Sequence, residues 1–202
     1  MTKNIALVVN ELTADYTQEI ITSISDFYRG KNVNFIVSQV KLPFQKGTDF
    51  DYQYWANMSL LDNDNIDAYI VLSAIFCSYM NTEELVKRLQ PFTKKPVFSV
   101  SIPLKLDNCY YTQLSCENSY LEIVEHLVKK HNRKRIAFAS AHLTGSIEAN
   151  ERFESYKKAL EKFNLPFDES LVFHGIFTYN SIMKNLGERI KSKDDVTFDA
   201  IL

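Results

Sequence analysis

EHLVKKHNRKRIAFAS, residues 125–140, decides how this chain is read. Two histidines and a run of lysines and arginines give way to an apolar stretch. Three structures would account for such a junction: a metal site, a nucleic-acid patch, or a helix end feeding a buried strand. His126 and His131 are five residues apart, roughly 140° around a helix, so they are not expected to chelate one ion from a single face. The basic run follows the helical stretch EIVEHLVKK. Cations there complement the helix dipole and bond its last carbonyls. Neither aromatic interleaving nor a surrounding basic stripe supports nucleic-acid binding. The junction reads as a seam: helix end, charged turn, buried strand.

Similar apolar runs recur outward from this seam. They are IALVV (5–9), VNFIV (33–37), AYIVLS (68–73), PVFSVSI (96–102), SLVFHG (170–175) and FDAIL (198–202). Most are continuous rather than alternating, as strands covered on both faces are. Helical spacing lies between them. TADYTQEIITSISDFYRG (13–30) sets Tyr16, Ile20, Ile24 and Phe27 on one stripe and stops at Gly30. NTEELVKRLQP (81–91) opens on a polar residue followed by glutamates and ends before Pro91. EANERFESYKKALEKF (148–163) sets Phe153, Tyr156, Leu160 and Phe163 on one face. PFQKGTDFDYQYW (43–55) reads as an aromatic-rich loop leading into a helix.

A strand–helix–strand rhythm predicts parallel sheets with right-handed crossovers. SIPLKLDNCYYTQ (101–113) interrupts it with Pro103 and a polar turn, and is read as a crossover. The expected fold class is α/β, with two Rossmann-like lobes of parallel sheet flanked by helices. Residues 1–110 form the N-terminal lobe and 111–202 the C-terminal lobe. A parallel sheet seldom stops at a bare strand such as FDAIL, so the second lobe is expected to be truncated and the chain to continue.

Composition narrows the function classes. The 202 residues are 46% apolar and 24% charged, with net charge −2 and a pI near 6.1. No global field attracts nucleic acid or an anionic membrane. No apolar stretch approaches the length of a membrane span, and the N-terminus lacks a signal-peptide core. Cys77, Cys109 and Cys116 are odd in number and unpatterned, which reads as reduced thiols in a cytoplasmic protein.

Catalytic signatures are absent: no G-x-G-x-x-G, Walker loop, G-x-S-x-G or H-E-x-x-H occurs. His174 and His142 are acid–base candidates, but His174 lies inside an apolar run and reads as a core or loop histidine. Asp49 and Asp51 read as a solvated loop pair. Cys116 reads as an inert thiol. Neither a metal nor a cofactor is expected.

The stretch from Glu125 to Phe177 resembles the second lobe of the LacI/GalR-type, periplasmic-binding-protein-like sensor family. The ordered matches are His126-Leu127, Arg135 to Phe138, Arg152, Tyr156, Ala159-Leu160, Asp168, Leu171-Val172, Gly175 and Phe177. IALVVNELTADYTQEI fits the family's first strand and helix, so the resemblance spans nearly the whole chain. It implies a non-enzymatic sensor with a ligand cleft between two lobes, signalling by closure to an output domain beyond residue 202. The implied ligand-binding residues are Tyr16, Thr17, Ser101, Ser146, Glu148, Arg152 and Phe177. The implied partners are a small-molecule effector (a sugar, nucleoside or similar) and a second copy in a homodimer, with no direct nucleic-acid contact and no membrane.

Strand one begins near residue 4, so the family's N-terminal DNA-binding headpiece is expected to be absent. FDYQYWANMSLLDNDNIDAYIVLS resembles the subgroup preceding diguanylate cyclase or histidine kinase modules. Ser101 stands where the family often has an Asp, and Ser115-Cys116 where it often has Asp-Asn. Two other readings stay open. One is a degenerate sensor acting as a dimerisation or protein-interaction platform through the Phe44–Trp55 region. The other is a Rossmann-like enzyme.

Overall fold

The run IALVV becomes an interior strand of a sheet because it has no polar side to show. In the computed structural model, which describes residues 1–40, 51–78, 80–141, 146–175, 179–191 and 195–202, β1 (Lys3–Val9) buries Ala6, Leu7, Val8 and Val9 almost completely. Leu7, Val8 and Val9 each contribute about 1.5–3 kcal/mol on leaving water. The chain divides into two compact units, Met1–Gln113 and Leu114–Leu202.

The first unit continues with α1 (Asp15–Tyr28), β2 (Val33–Gln39), α2 (Asp51–Ser59), β3 (Ala68–Val71), α3 (Ser73–Cys77), α4 (Thr82–Leu89), β4 (Val97–Val100) and β5 (Cys109–Thr112). Its sheet runs β2-β1-β3-β4-β5, with every neighbouring pair parallel. Ile20, Ile21 and Ile24 of α1 pack against Leu7, Val9 and Leu72. Asn81 caps α4 by accepting from the Glu84 N–H at 2.8 Å. Arg88 pairs with Glu84 one turn back at 2.8 Å, and Leu85 and Leu89 are buried.

Several expectations change here. The stretch 101–113 is not a plain crossover, because Cys109–Thr112 adds the edge strand β5 to the first sheet. The stripe of α1 is shifted as well: Phe27 is 64% exposed and Tyr16 43% exposed. The inward face is instead Thr17, Ile20, Ile21 and Ile24, a stripe that keeps the helical period and shares Ile20 and Ile24 with the expected one but is rotated away from Tyr16 and Phe27. β2, at the other edge, leaves Ile36 and Val37 partly in water, so it is not covered on both faces.

The second unit holds α5 (Glu117–His131), β6 (Ile136–Ala141), α6 (Ile147–Lys162), β7 (Val172–Gly175), α7 (Tyr179–Arg189) and β8 (Ala200–Ile201). Its parallel sheet runs β7-β6-β8. Val124, Phe138, Tyr156 and Leu160 share one core cluster. The Phe138 and Tyr156 rings stack at 4.8 Å, and the buried Tyr156 hydroxyl donates to the Ile136 carbonyl at 2.7 Å.

The seam takes its expected form. Asn132 adopts the left-handed conformation at φ 50°, and its N–H returns to the Leu127 and Val128 carbonyls. The Arg133 N–H bonds the Leu127 carbonyl at 3.0 Å, closing the helix end. The basic turn is then tied down. Asp199 accepts from the backbone N–H of Lys134 at 2.9 Å and of Arg135 at 3.1 Å. The Arg135 side chain reaches Asp168 at 3.0 Å and also donates to the Thr197 carbonyl. Arg135 thus holds three segments of the second unit together. Among the described residues, no helix is long and apolar enough to cross a membrane.

Candidate functional site

The sequence-derived candidates follow the carboxyl ends of parallel strands. Tyr16 and Thr17 begin α1 after β1, and Ser101 follows β4. Ser146, Glu148 and Arg152 start α6 after β6. Phe177, His142 and Asp49 lie outside the described residues, as do the Phe44 part of the aromatic loop and the side chains of Asp51, Tyr52 and Trp55.

In the first unit, Thr17 is completely buried on the core face of α1. Its hydroxyl has no hydrogen-bond partner among the described residues. Tyr16 is not a core residue, since much of its ring meets solvent. Ser101 is half-buried and holds φ 71°, in the left-handed region. The reason lies just beneath it. Ser99 Oγ sits 2.5 Å from the Ile102 carbonyl and 2.7 Å from Ser73 Oγ, all within buried surroundings. The carbonyl only accepts, so Ser99 gives it its one proton and takes the proton of Ser73. That chain links the start of α3 to β4 and folds residues 100–102 back at the strand end.

Ser73 and Ser99 are therefore positioning residues that the sequence reading passed over. The available signal was a serine inside each of two apolar runs, AYIVLS and PVFSVSI.

In the second unit, Ser146 caps α6: its Oγ accepts from the Ala149 N–H at 3.2 Å. Its carbonyl accepts from Asn150 Nδ2 at 2.8 Å. The buried Ser146 side chain thus shapes the helix start. Glu148 and Arg152, on the next turns, are half-buried. Burial pushes the Tyr120 phenol upward, and the Arg152 charge opposes that shift, so the guanidinium acts on the side of α6 that faces α5. Cys116 Sγ lies 3.6 Å from Ser155 Oγ on the same side. His174 is half-buried, its ring edge-on to Phe153 at 6.5 Å, in keeping with a packed histidine.

The arrangement presents hydroxyls, one carboxylate and one guanidinium near strand ends and a helix N-terminus. Such groups hold small molecules rich in hydroxyl or acidic oxygens.

A cavity of about 240 Å³ lies elsewhere in the second unit, lined by Ser170, Phe173, Arg189 and Phe198 among others. Ser170 and Phe198 precede β7 and β8, so it opens near the amino ends of the strands. Arg189 is engaged there, donating to the Ser170 and Val172 carbonyls at 3.1 and 3.0 Å.

The histidines of the seam depart from expectation. His126 Nε2 and His131 Nε2 lie 3.0 Å apart. The 140° separation describes Cα directions. Two imidazoles at the helix end, one on the last helical residue, lean far enough to meet. Among the described residues, no group of three or more His, Cys, Asp or Glu is placed to hold a metal ion.

No family model matches the chain. Among curated proteins it is similar to Catabolite control protein A of Priestia megaterium, 24% identical over 194 residues, which is 96% of this chain and 54% of that protein. The chain thus spans about half the length of that relative. Among solved structures it superposes on the transcription regulator CcpA of Lactococcus lactis with a TM-score of 0.70 at 20% identity, covering 94% of this chain and 66% of that one. It matches the transcriptional regulator CelR–cellobiose complex with a TM-score of 0.71 at 19% identity, covering 99% and 58%. These likenesses establish the α/β fold of LacI-type regulators, with parallel sheets flanked by helices.

Proposed function

We propose that this chain is the effector-sensing part of a LacI-type regulatory protein. A small molecule bearing hydroxyls, a sugar or nucleoside, engages groups at the carboxyl ends of the parallel strands. One observation carries the reading. Tyr16, Ser101, Ser146, Glu148 and Arg152, drawn from separate segments, all follow strand carboxyl ends, where open parallel sheets bind ligands, whereas Thr17 is completely buried in the core face of α1 and is not a ligand contact. Arg152 is the anchor, its planar fork suited to a hydroxyl or carboxylate.

Ser101 and Ser115 stand where the family pattern often carries Asp, so contacts to the effector rely on neutral hydroxyls, Glu148 and Arg152. Binding signals by having different affinity for two conformations of the protein, and the response passes to an output domain. The names of the relatives support a transcriptional output. A diguanylate cyclase or histidine kinase rests on the sequence resemblance alone. The sensor itself performs no chemistry and works in the cytoplasm with its three thiols reduced.

Isothermal titration of the full-length protein tests this, with cellobiose first and then sugars, nucleosides and amino acids. A saturable heat that weakens about tenfold or more in Arg152→Ala is expected, the size of one lost charge-assisted contact. Silence across the whole panel would sink ligand sensing.

A second reading, a homodimer platform, is favoured by the α1–β2 edge of the first unit. Phe27, Tyr28 and Phe35 form a chain of edge-on rings there, and Phe27, Ile36 and Val37 remain exposed. Sedimentation of Phe27→Asp and Ile36→Lys should then shift towards monomer. An unchanged profile would remove this reading.

A further inference from the structure

We propose that His126 and His131 form a two-imidazole site for a divalent first-row transition metal of the copper, nickel or zinc type. The geometry is the reason. Their Nε2 atoms lie 3.0 Å apart, with ring centroids at 4.8 Å and planes at 65°. Two nitrogens each about 2.0–2.1 Å from a metal are about 2.9 Å apart at a right angle and about 3.4 Å apart at the tetrahedral angle. The observed separation falls between these values and closer to the first. Adjacent corners of a square-planar or tetragonal ion, the preference of Cu²⁺ and Ni²⁺, therefore fit with little movement.

The backbone beneath the pair is held. His131 is the last residue of α5, and the left-handed Asn132 with its two returning bonds fixes the helix end. Both rings are exposed, leaving the outer coordination positions to water. Without a metal, one ring donates its Nε2 proton and the other accepts. A metal replaces that shared proton, and both lone pairs turn towards it.

The charge around the pair is mixed. Lys130, Arg133 and Lys134 oppose a dication. Lys129 is paired with Glu125 on the helix surface, and the terminal carbonyls of α5 carry partial negative charge. The balance selects metals with strong imidazole affinity, in the order Cu²⁺ above Ni²⁺ and Zn²⁺, and excludes Mg²⁺ and Ca²⁺, which take oxygen ligands.

The test is CuCl₂ titration of the 202-residue chain, followed by electron paramagnetic resonance and by isothermal titration, on the parent, His126→Ala, His131→Ala and the double variant. The expected result is one equivalent of Cu²⁺ with two equatorial imidazole nitrogens. Each single variant should lose one nitrogen and bind about tenfold or more weakly. His142 and His174 remain in every protein and serve as the internal background. Binding unchanged in both single variants would overturn the proposal. So would a parent showing no two-nitrogen signal. Circular dichroism of the variants checks that α5 is retained.

Discussion

Replacing Ser101 with glycine separates strain from function at one position. Ser101 holds φ 71°, and an L-residue in the left-handed region carries about 1–2 kcal/mol of strain. Glycine removes it and gives back about 0.5–1 kcal/mol through the freer unfolded chain. Ser101→Gly should therefore stabilise the first unit by about 0.5–1 kcal/mol. Ser99→Ala, two residues earlier, should do the opposite. It strands the Ile102 carbonyl in buried surroundings and leaves the Ser73 hydroxyl with the longer 3.4 Å bond to the Val71 carbonyl, at about 1–3 kcal/mol. Urea unfolding followed by tryptophan fluorescence measures both, because Trp55 is the single tryptophan and lies in the first unit. If Ser101→Gly lowers stability by more than about 1 kcal/mol, the strain argument fails and the Ser101 side chain is itself structural. If stability rises while effector affinity falls, the hydroxyl acts on the ligand.

Three further outcomes follow from the second unit. Tyr156→Phe keeps the stack on Phe138 but leaves the Ile136 carbonyl without its 2.7 Å donor, so thermal unfolding should show a loss of about 1–1.5 kcal/mol. Gly175→Ala places a methyl 2.8 Å from Ile182 Cδ1 and Ser181 Oγ. Both are movable ends, so a cost of about 1–2 kcal/mol is expected in chemical denaturation. The hydroxyl and N–H of Ser170, with the Arg135 guanidinium, hold the Asp168 carboxyl below the usual aspartate range. A depressed folded value means that the stabilisation is present above the unfolded value, about 4, and is lost as pH falls through the folded one. Acid titration of Asp168→Asn should lack that part of the pH dependence, and curves that coincide with the parent would refute it.

The buried strands were legible because burial leaves a mark on composition. A strand with neighbours on both sides and layers on both faces has no use for a polar residue, and IALVV and IAFAS have almost none. β5 escaped for the converse reason: an edge strand with Tyr110, Tyr111 and Thr112 exposed has no apolar run to find. The stripe of α1 takes Thr17 and Ile21 in place of Tyr16 and Phe27. Thr17 packs inward like the valine it resembles in shape, and Tyr16 and Phe27 turn out instead. α7 was missed because YNSIMKNLGER spaces its apolar residues thinly and carries Gly187.

The site was legible to a lesser depth. Position along the chain tells which residues follow the carboxyl end of a strand, since a parallel sheet puts every such end on the same side. It does not tell where a hydroxyl points. Ser73 and Ser99 are 26 residues apart, and their 2.7 Å contact exists because β3 and β4 are neighbours with Val71 opposite Ser99. A rule does emerge from that pair. A serine inside a run packed on both faces has no water to bond, so its partner must be another buried polar group. Two such runs predicted to be adjacent strands, each carrying a serine near its carboxyl end, point to one another. The same logic fails for His126 and His131, which are exposed and under no obligation to pair. There the angle between Cα directions was a poor guide, because the reach of two imidazoles exceeds the arc that separates them.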